Sequence, residues 1–567
     1  MGHAYRKNAW ARFRHLGGIH RRRKWVIWFG QMAPKSIYEQ VAETAKKTPF
    51  AKAIVFENKK YNYYQFGKEI LKAAGRLTAL GIKPREVVTV LLPNCPDSVF
   101  IFYGLSAIGA IPYNIHPLTP GPTVAKMMKK VDSHYCISLI NNAHEIWESM
   151  PNDVKVIGVN PYVGISFFKA SYLNYLGRNT EGVIKYWKIK GTPAIPLYSP
   201  QNEKEDAVYL NTGGTNGEPK VVRISNESMN HIGANSYQLI GGKVADIGIM
   251  TAVPMFHVLG LGMAIHVPFS AGASACLILK FNTKEAINHM KKGNATVIIG
   301  VPALYNALLS RDKFNGPHLK KQIVAYLGGD FCPMSLIERW NGAMEKYGSK
   351  ARLYVGYGLT ETSTACNVNT FGGRNKYGSV GKPLPGVLNK IIDPETGEEK
   401  KPGEYGEILI GGPSVMSGYF GDEELNKKTL FYDKDGTPWL HTMDYGCIDE
   451  DGYLYFKQRL RRIVKINAET LCPSDVEEVV NSLPGIYESY CYGVANKRKG
   501  NVFRLLAVIR RGDHPWSEEE AEKAIKEAIK KSLPPAYFPD KMSFMKKLPR
   551  TPIGKIDISQ IEGAEVR

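Results

Sequence analysis

Residues 87–111 read VVTVLLPNCPDSVFIFYGLSAIGAI. The β-branched run VVTVLL is strand-like, and after a Pro-rich break the small and apolar run VFIFYGLSAIGAI predicts a buried helix. Upstream, AKAIVF at 51–56 is a second strand-like run, and the segment between the two runs is helical in pattern. Further back, Ser36 and Glu39 stand as Ser-x-x-Glu before Ile37, Val41 and Ala45 at helical spacing. That is a capping box, and it predicts that the folded part starts there. Strand and helix alternate again through segments such as TVIIGVP up to about residue 360, which argues for α/β layers and against an all-helical chain.

Downstream of residue 380 the texture changes to short strand-like pieces, NKIID, YGEILIGG and GYLYF, divided by Gly, Pro and Asp turns. A smaller β-rich lobe is expected there. After Arg461 the pattern changes again. A second capping box, Ser517 with Glu520, precedes Ala521, Ala524, Ile525, Ala528 and Ile529 in what reads as a compact α+β module. A chain of 567 residues is too long for one core, so a large domain with internal lobes and a smaller one is the natural expectation. The divisions fall at 1–35, 36–460 and 461–567.

Composition sets bounds on partners. Apolar residues make up 44% and charged residues 22%, ordinary globular usage, and no run of 18 apolar residues could cross a bilayer. Lys and Arg exceed Asp and Glu by 74 − 53 = 21, which suits polyanionic ligands or an anionic membrane surface; a merely basic exterior is the plain alternative. Eight Lys or Arg lie between Arg6 and Lys24, before any acidic residue. The apolar run that follows, Trp25 to Phe29, is too short for a signal peptide, so secretion is not expected. This basic, aromatic stretch either contacts lipid head groups, covers the main domain, or stays disordered. The eight cysteines are scattered without metal-ligand spacing, which fits a reducing cytoplasm and no structural metal. Nucleic acid is not an expected partner.

Four stretches carry chemistry. NTGGTNGEPK, Asn211 to Lys220, follows the strand-like AVYL and forms a loop of small residues whose N–H groups can approach phosphate. The Thr212 and Thr215 hydroxyls and the Lys220 ammonium add donors. GYGLTET, Gly356 to Thr362, sets the hydroxyl of Thr360 beside the carboxylate of Glu361, which suits one phosphate contact and one Mg²⁺ ligand. In HTMDYGCIDEDGYLYFKQRLRRIVK a carboxylate, Asp444, stands fifteen residues before Arg459 across a hairpin signal, a pattern that fits paired ribose hydroxyls. Finally, LPRTPIGKID places Lys555 after Gly554 in a Pro-rich loop. Each alone has a plain reading as a turn or cap.

Together, in this order and spacing, they resemble the adenylate-forming superfamily of acyl-CoA and aryl-CoA ligases, luciferases and peptide-synthetase adenylation domains. The resemblance spans about residues 36–560 and includes PMFHVLG, YLGGD and WLHTMD. It implies a large α/β domain with a β-rich lobe and a small mobile α+β C-terminal domain. Thr212, Gly213, Gly214, Thr215, Gly217 and Lys220 would form the phosphate loop, Thr360 a phosphate contact and Glu361 the Mg²⁺ carboxylate. Gly328, Gly329, Asp330, Tyr357 and Gly358 would wall the adenine slot, and Asp444 and Arg459 would hold the ribose. Lys555 would bridge substrate carboxylate and α-phosphate. Arg461 falls at the hinge, Lys465 would act in the thioester-forming state, and His257 resembles the gate between acyl site and pantetheine channel, with a buried structural histidine as the alternative.

The implied reaction is ATP-dependent activation of a carboxylic acid, then transfer to coenzyme A. Delivery to a carrier protein or another acceptor, and a degenerate nucleotide-binding role, are the alternatives. The chain departs from the pattern at Asn216, Met443, Gln458 and Ala468; the last replaces a glycine beside the pantetheine channel. No acidic residue in PMFHVLGLGM could hold an α-ammonium, and Gly260 and Gly262 would leave room behind His257 for an extended chain, which favours a medium or long fatty acid. A cytoplasmic protein, with membrane association open through the basic N-terminus, is expected.

Overall fold

The computed structural model describes residues 34–192, 196–212, 219–240, 244–466, 469–496, 500–511, 515–550, 556–557 and 560–561. The first helix, Ile37–Lys47, starts where the capping box places it: Glu39 N–H donates to Ser36 Oγ at 3.2 Å, and Ser36 N–H donates to the Glu39 carboxylate at 2.7 Å. Strand Lys52–Phe56, helix Tyr63–Ala79 and strand Val87–Leu91 follow in the expected order. Helix Pro96–Ala107 is buried along almost its whole length. It ends earlier than the apolar run suggests. Gly109 adopts φ 75°, and Ile111 begins a strand, Ile111–Asn114, that pairs in parallel with Val87–Leu91. An apolar run without periodicity does not mark where a buried helix hands over to a buried strand.

These elements feed two large sheets. The eight-stranded sheet runs, edge to edge, Gly418–Tyr419, Val221–Ser225, Asp206–Asn211, Ile111–Asn114, Val87–Leu91, Tyr135–Leu139, Lys155–Val159 and Val183–Lys185. In the nine-stranded sheet, strands Gly248–Thr251, Val297–Gly300, Val324–Leu327 and Leu353–Leu359 lie side by side in parallel. Such parallel strands need cover on both faces. A continuous core that includes Phe66, Phe102, Tyr103 and Phe269 supplies it between the sheets. A second core, with Trp340 at its centre, covers the outer face of the nine-stranded sheet.

The β-rich lobe is a five-stranded sheet, in which Leu388–Ile392, Gly406–Gly411, Pro438–Ile448 and Leu430–Tyr432 follow one another and Leu454–Arg459 pairs with Pro438–Ile448. Among the described residues the smaller C-terminal domain has a three-stranded sheet, Ile486–Asn496, Gly500–Ile509 and Lys541–Phe544, and a two-stranded pair, Val464–Ile466 with Glu469–Leu471, packed with helices Pro473–Asn481 and Glu518–Ser532 around their own core of Val476, Phe503, Ile525 and neighbours. The second capping box, Ser517 with Glu520, starts its last long helix. The fold is thus the α/β class expected, a large multi-sheet domain followed by a small α+β one. Among the described residues no helix is long and apolar enough to cross a membrane.

Trp340 is fully buried, edge-on to Tyr305 at 4.9 Å and beside Phe314 at 5.3 Å. Trp340→Ala is expected to lower unfolding free energy by about 3–5 kcal/mol, read from urea denaturation; a loss below about 1 kcal/mol would contradict this packing.

Candidate active site

Four neighbouring parallel strands deliver their C-terminal ends to one side of the nine-stranded sheet. Beyond Gly248–Thr251 comes His257, beyond Val297–Gly300 comes Val301, beyond Val324–Leu327 come Gly328, Gly329 and Asp330, and Leu353–Leu359 itself carries Tyr357 and Gly358 before Thr360 and Glu361. Ligand sites in open α/β sheets form at this edge. The proximity is tight: a Cβ built on Gly328 or Gly329 would lie within 3.9 Å of Leu259, two residues beyond His257, and one on Gly329 within 3.7 Å of Val301. Gly328 N–H donates to the Gly300 carbonyl at 3.1 Å, which fixes the turn. Asp330 is exposed, and its carboxylate accepts from Phe331 N–H at 2.9 Å.

The β-rich sheet closes one side of this edge. Asp444 and Arg459 are directly opposed in the hairpin of Pro438–Ile448 with Leu454–Arg459, and Arg459 Nε lies 3.0 Å from Asp444 Oδ1. On the other carboxylate oxygen, Tyr357 donates its hydroxyl at 2.6 Å. Asp444 is only 1% exposed, so this pairing is what permits a carboxylate there. Burial, reinforced by the Asp444 charge, pushes the Tyr357 phenol well above its ordinary pKa and keeps it a donor. The Phe456 ring stacks on Tyr357 at 5.9 Å.

A second cluster surrounds Glu361. Tyr419 donates its hydroxyl to Glu361 Oε1 at 2.9 Å, and the Lys220 ammonium sits over the Tyr419 ring at 5.2 Å. Strand Gly418–Tyr419 pairs with Val221–Ser225, which begins one residue after Lys220, and that pairing is how the two meet. Thr212 N–H donates to the Lys220 carbonyl at 3.0 Å and so holds together the two ends of the NTGGTNGEPK loop. Burial and the Glu361 charge push the Tyr419 phenol up. The two clusters share one electrostatic environment. Burial opposes the charge of Arg459, but Asp444, Tyr357, Glu361 and Tyr419 together outweigh it and raise its pKa.

The structure therefore brings together Thr212, Lys220, Gly328, Gly329, Tyr357, Gly358, Thr360, Glu361, Asp444 and Arg459. Gly213, Gly214, Thr215, Asn216, Gly217, Ala468 and Lys555 lie outside the described residues. Arg461 is exposed in the turn Leu460–Arg462, two residues past the cluster, and the backbone of Lys465 lies in strand Val464–Ile466, paired with Glu469–Leu471. His257 is half-buried with its ring 4.6 Å from Phe256, which in turn meets His116 at 4.8 Å. Tyr419, Phe456 and His116 carried no readable signal in the sequence, because their roles come from pairings distant along the chain.

One expectation fails. Gly260 and Gly262 do not leave room behind His257. A Cβ on Gly260 would lie 2.1 Å from the Pro254 carbonyl oxygen, and one on Gly262 2.7 Å from the Thr364 methyl. Both belong to a π-helix, Leu259–His266, pressed against backbone and side chains. They are glycines of close approach and not of an acyl cavity. Gln458 is buried and accepts from Ser474 N–H at 3.3 Å, so its neutral amide reaches the start of helix Pro473–Asn481. Among the described residues no three His, Cys, Asp or Glu side chains cluster as a metal site. Glu361 fits a hard cation that completes its shell with ligand oxygens and water.

A family model described as AMP-binding enzyme matches residues 41–420, and one described as AMP-binding enzyme C-terminal domain matches residues 475–555. The chain is 28% identical over 546 residues to the long-chain-fatty-acid–CoA ligase of Bacillus subtilis, which covers 92% of this chain and 93% of the relative. It is 25% identical over 507 residues to 4-coumarate–CoA ligase 1 of Solanum tuberosum, covering 88% and 87%. ATP-bound MatB from Rhodopseudomonas palustris superposes with a TM-score of 0.79 at 20% identity, covering 93% of this chain and 98% of that one, a likeness of fold.

Met443 precedes Asp444 with φ 56°, a left-handed backbone that costs a non-glycine residue about 1–2 kcal/mol. Its side chain is half exposed. After the greater chain entropy of glycine is set against that relief, Met443→Gly is expected to raise unfolding free energy by about 0.5 kcal/mol in urea melts. A clear loss would show that the Met443 side chain packs usefully.

Proposed function

The chain belongs to the family of AMP-binding enzymes, and from that premise we propose that it is an AMP-forming acid–thiol ligase. It converts a carboxylic acid and ATP to acyl-adenylate and pyrophosphate, then passes the acyl group to coenzyme A. The observation that carries this reading is the joined pair of clusters, Tyr357–Asp444–Arg459 and Lys220–Tyr419–Glu361, at one sheet edge. In this reading the first would offer a buried carboxylate to ribose hydroxyls beside the glycine wall of Gly328 and Gly329, and the second would supply a cation and a carboxylate to the phosphates.

In the first step a substrate carboxylate oxygen attacks the α-phosphorus, and the bond to the bridging oxygen of the β-phosphate breaks. Negative charge grows on the α-phosphoryl oxygens and the departing pyrophosphate. Lys220, Thr360 and Lys555, with the loop residues Thr212, Gly213, Gly214, Thr215 and Gly217, are the donors that would meet it, and they act more strongly in the transition state than in the ground state. Mg²⁺ held at Glu361 would supply further charge neutralisation. In the second step the thiol sulfur of coenzyme A attacks the acyl carbon and AMP departs. His257 would stand between the acid and the thiol.

The acid we favour is a medium- or long-chain fatty acid. The support is the relative named for such acids and the absence of an acidic residue from PMFHVLGLGM; the glycines of that stretch no longer add to it. The domain break is placed at 460/461, so that Arg461 serves as hinge and Lys465 acts after rotation.

Two measurements test this. With ATP, Mg²⁺ and fatty and aryl acids, the protein is expected to release AMP and form thioester with fatty acids. Lys555→Ala should slow adenylation by about 10²–10³-fold while sparing thiolysis of supplied acyl-adenylate. No AMP with any acid, or wild-type pyrophosphate exchange in the variant, would overturn the assignment. Arg461→Pro is expected to spare adenylation and impair thioester formation, and an equal loss in both half-reactions would exclude the hinge.

A further inference from the structure

We propose that helix Phe167–Leu176 and the basic segment after it form a docking surface for a bilayer bearing anionic head groups. The helix connects strands Lys155–Val159 and Val183–Lys185, the last two of the eight-stranded sheet. It therefore lies at the edge opposite strand Gly418–Tyr419 and the Lys220 cluster. Its sequence is FFKASYLNYL, and none of its residues is buried. Phe167 and Phe168 are 80% and 85% exposed, and Tyr172, Tyr175 and Leu176 also face solvent. Phe168, Tyr172 and Tyr175 recur at i, i+4 and i+7, so they line one face.

The aromatic side chains are not what holds this helix in place. Asn160 donates from Nδ2 to the Ala170 carbonyl and to Asn174 Oδ1, both at 2.9 Å, while Lys169 pairs with Glu57 at 2.5 Å and lies over the Tyr162 ring. Ser166 caps the N-terminus. Polar contacts thus order the helix from below, and its aromatic face, Phe168, Tyr172 and Tyr175, stays largely exposed. A monomer rarely exposes so concentrated an aromatic patch without use for it.

Charge identifies the occupant. From Asn160 to Thr192 there are five basic residues, Lys169, Arg178, Lys185, Lys188 and Lys190, against the single acid Glu181. Lys169 is engaged by Glu57, while Arg178, Lys188 and Lys190 are exposed, and Arg178 lies over the Tyr175 ring at 4.9 Å. Phenylalanine that can enter the acyl boundary, tyrosine whose hydroxyl can stay at the head groups, the Arg178 guanidinium over Tyr175 and the exposed lysines that follow in the chain together match the lipid interface. The excess of 21 positive charges on the whole chain acts in the same direction.

The test uses the full-length protein with extruded vesicles of phosphatidylcholine, alone or mixed with phosphatidylglycerol, in a cosedimentation assay. Wild type is expected to bind the mixed vesicles more tightly than the neutral ones, and less so as salt rises. The triple variant Phe168→Ser, Tyr172→Ser, Tyr175→Ser should lose at least tenfold in affinity, with thermal midpoint and acyl activation unchanged. Lys188→Gln with Lys190→Gln should lose about fivefold per charge. Unchanged vesicle binding in the triple variant would assign any lipid contact to another surface and overturn the proposal. So would equal binding to neutral and anionic vesicles, or a concentration-dependent dimer that the triple variant abolishes.

Discussion

The buried carboxylate of Asp444 is the constraint on which the site depends. A charge at 1% exposure is sustained only by partners, and those of Asp444 include Arg459 across its own hairpin and Tyr357, from another sheet, at the end of a parallel strand. To satisfy one side chain, the five-stranded sheet must therefore stand against the C-terminal edge of the nine-stranded sheet in one register. A one-residue slip in the hairpin would turn Arg459 to the other face and leave the carboxylate without its cation. The same junction brings Glu361 and Tyr419 within the field of Arg459, so side chains from three sheets are fixed relative to one another.

Local chemistry was legible in the sequence to the extent that it is settled within a few residues. Both capping boxes start helices where Ser36 and Ser517 stand, because the reciprocal bonds span only three residues. The Asp444–Arg459 hairpin was legible for the same reason, its turn lying in the DEDG between them. What was not legible is decided by neighbours far along the chain. Tyr419 meets Glu361 only because a two-residue strand joins the edge of another sheet, and Gly260 and Gly262 look like spare room until the Pro254 carbonyl and Thr364 occupy it. The helix beginning at Phe167 was hidden for a converse reason. Aromatic residues ordinarily signal burial, and here polar contacts from Asn160 carry the packing.

Departures from the family pattern also acquire physical content. Met443 holds a left-handed conformation that glycine would hold without strain, and its N–H donates to Glu407 at 3.1 Å, so the position is kept by the bulge and not by the side chain. Gln458 stands two residues from the proposed domain break. Its amide oxygen accepts from Ser474 N–H at the start of helix Pro473–Asn481, a bond that carries no net charge.

That neutrality matters for motion. If the small domain turns about Arg461, the links seen among the described residues from strand Leu454–Arg459 to helix Pro473–Asn481 must break each time: the Gln458–Ser474 bond and the ion pairs of Lys457 with Asp475 and Glu478. Both Lys457 and Asp475 are about one-fifth exposed, so water can reach each partner as they separate. Arg462, on the far side of the break, is held differently. It bonds to Glu477 at 2.5 Å and to the Cys491 carbonyl at 3.1 Å, and it stacks over the Tyr490 ring, all within the small domain. The contacts of Arg462 thus lie within the small domain, and those of Lys457 and Gln458 reach across the proposed break. A hinge one residue before Arg462 needs that distribution if the domain is to rotate as a unit without unfolding its own edge.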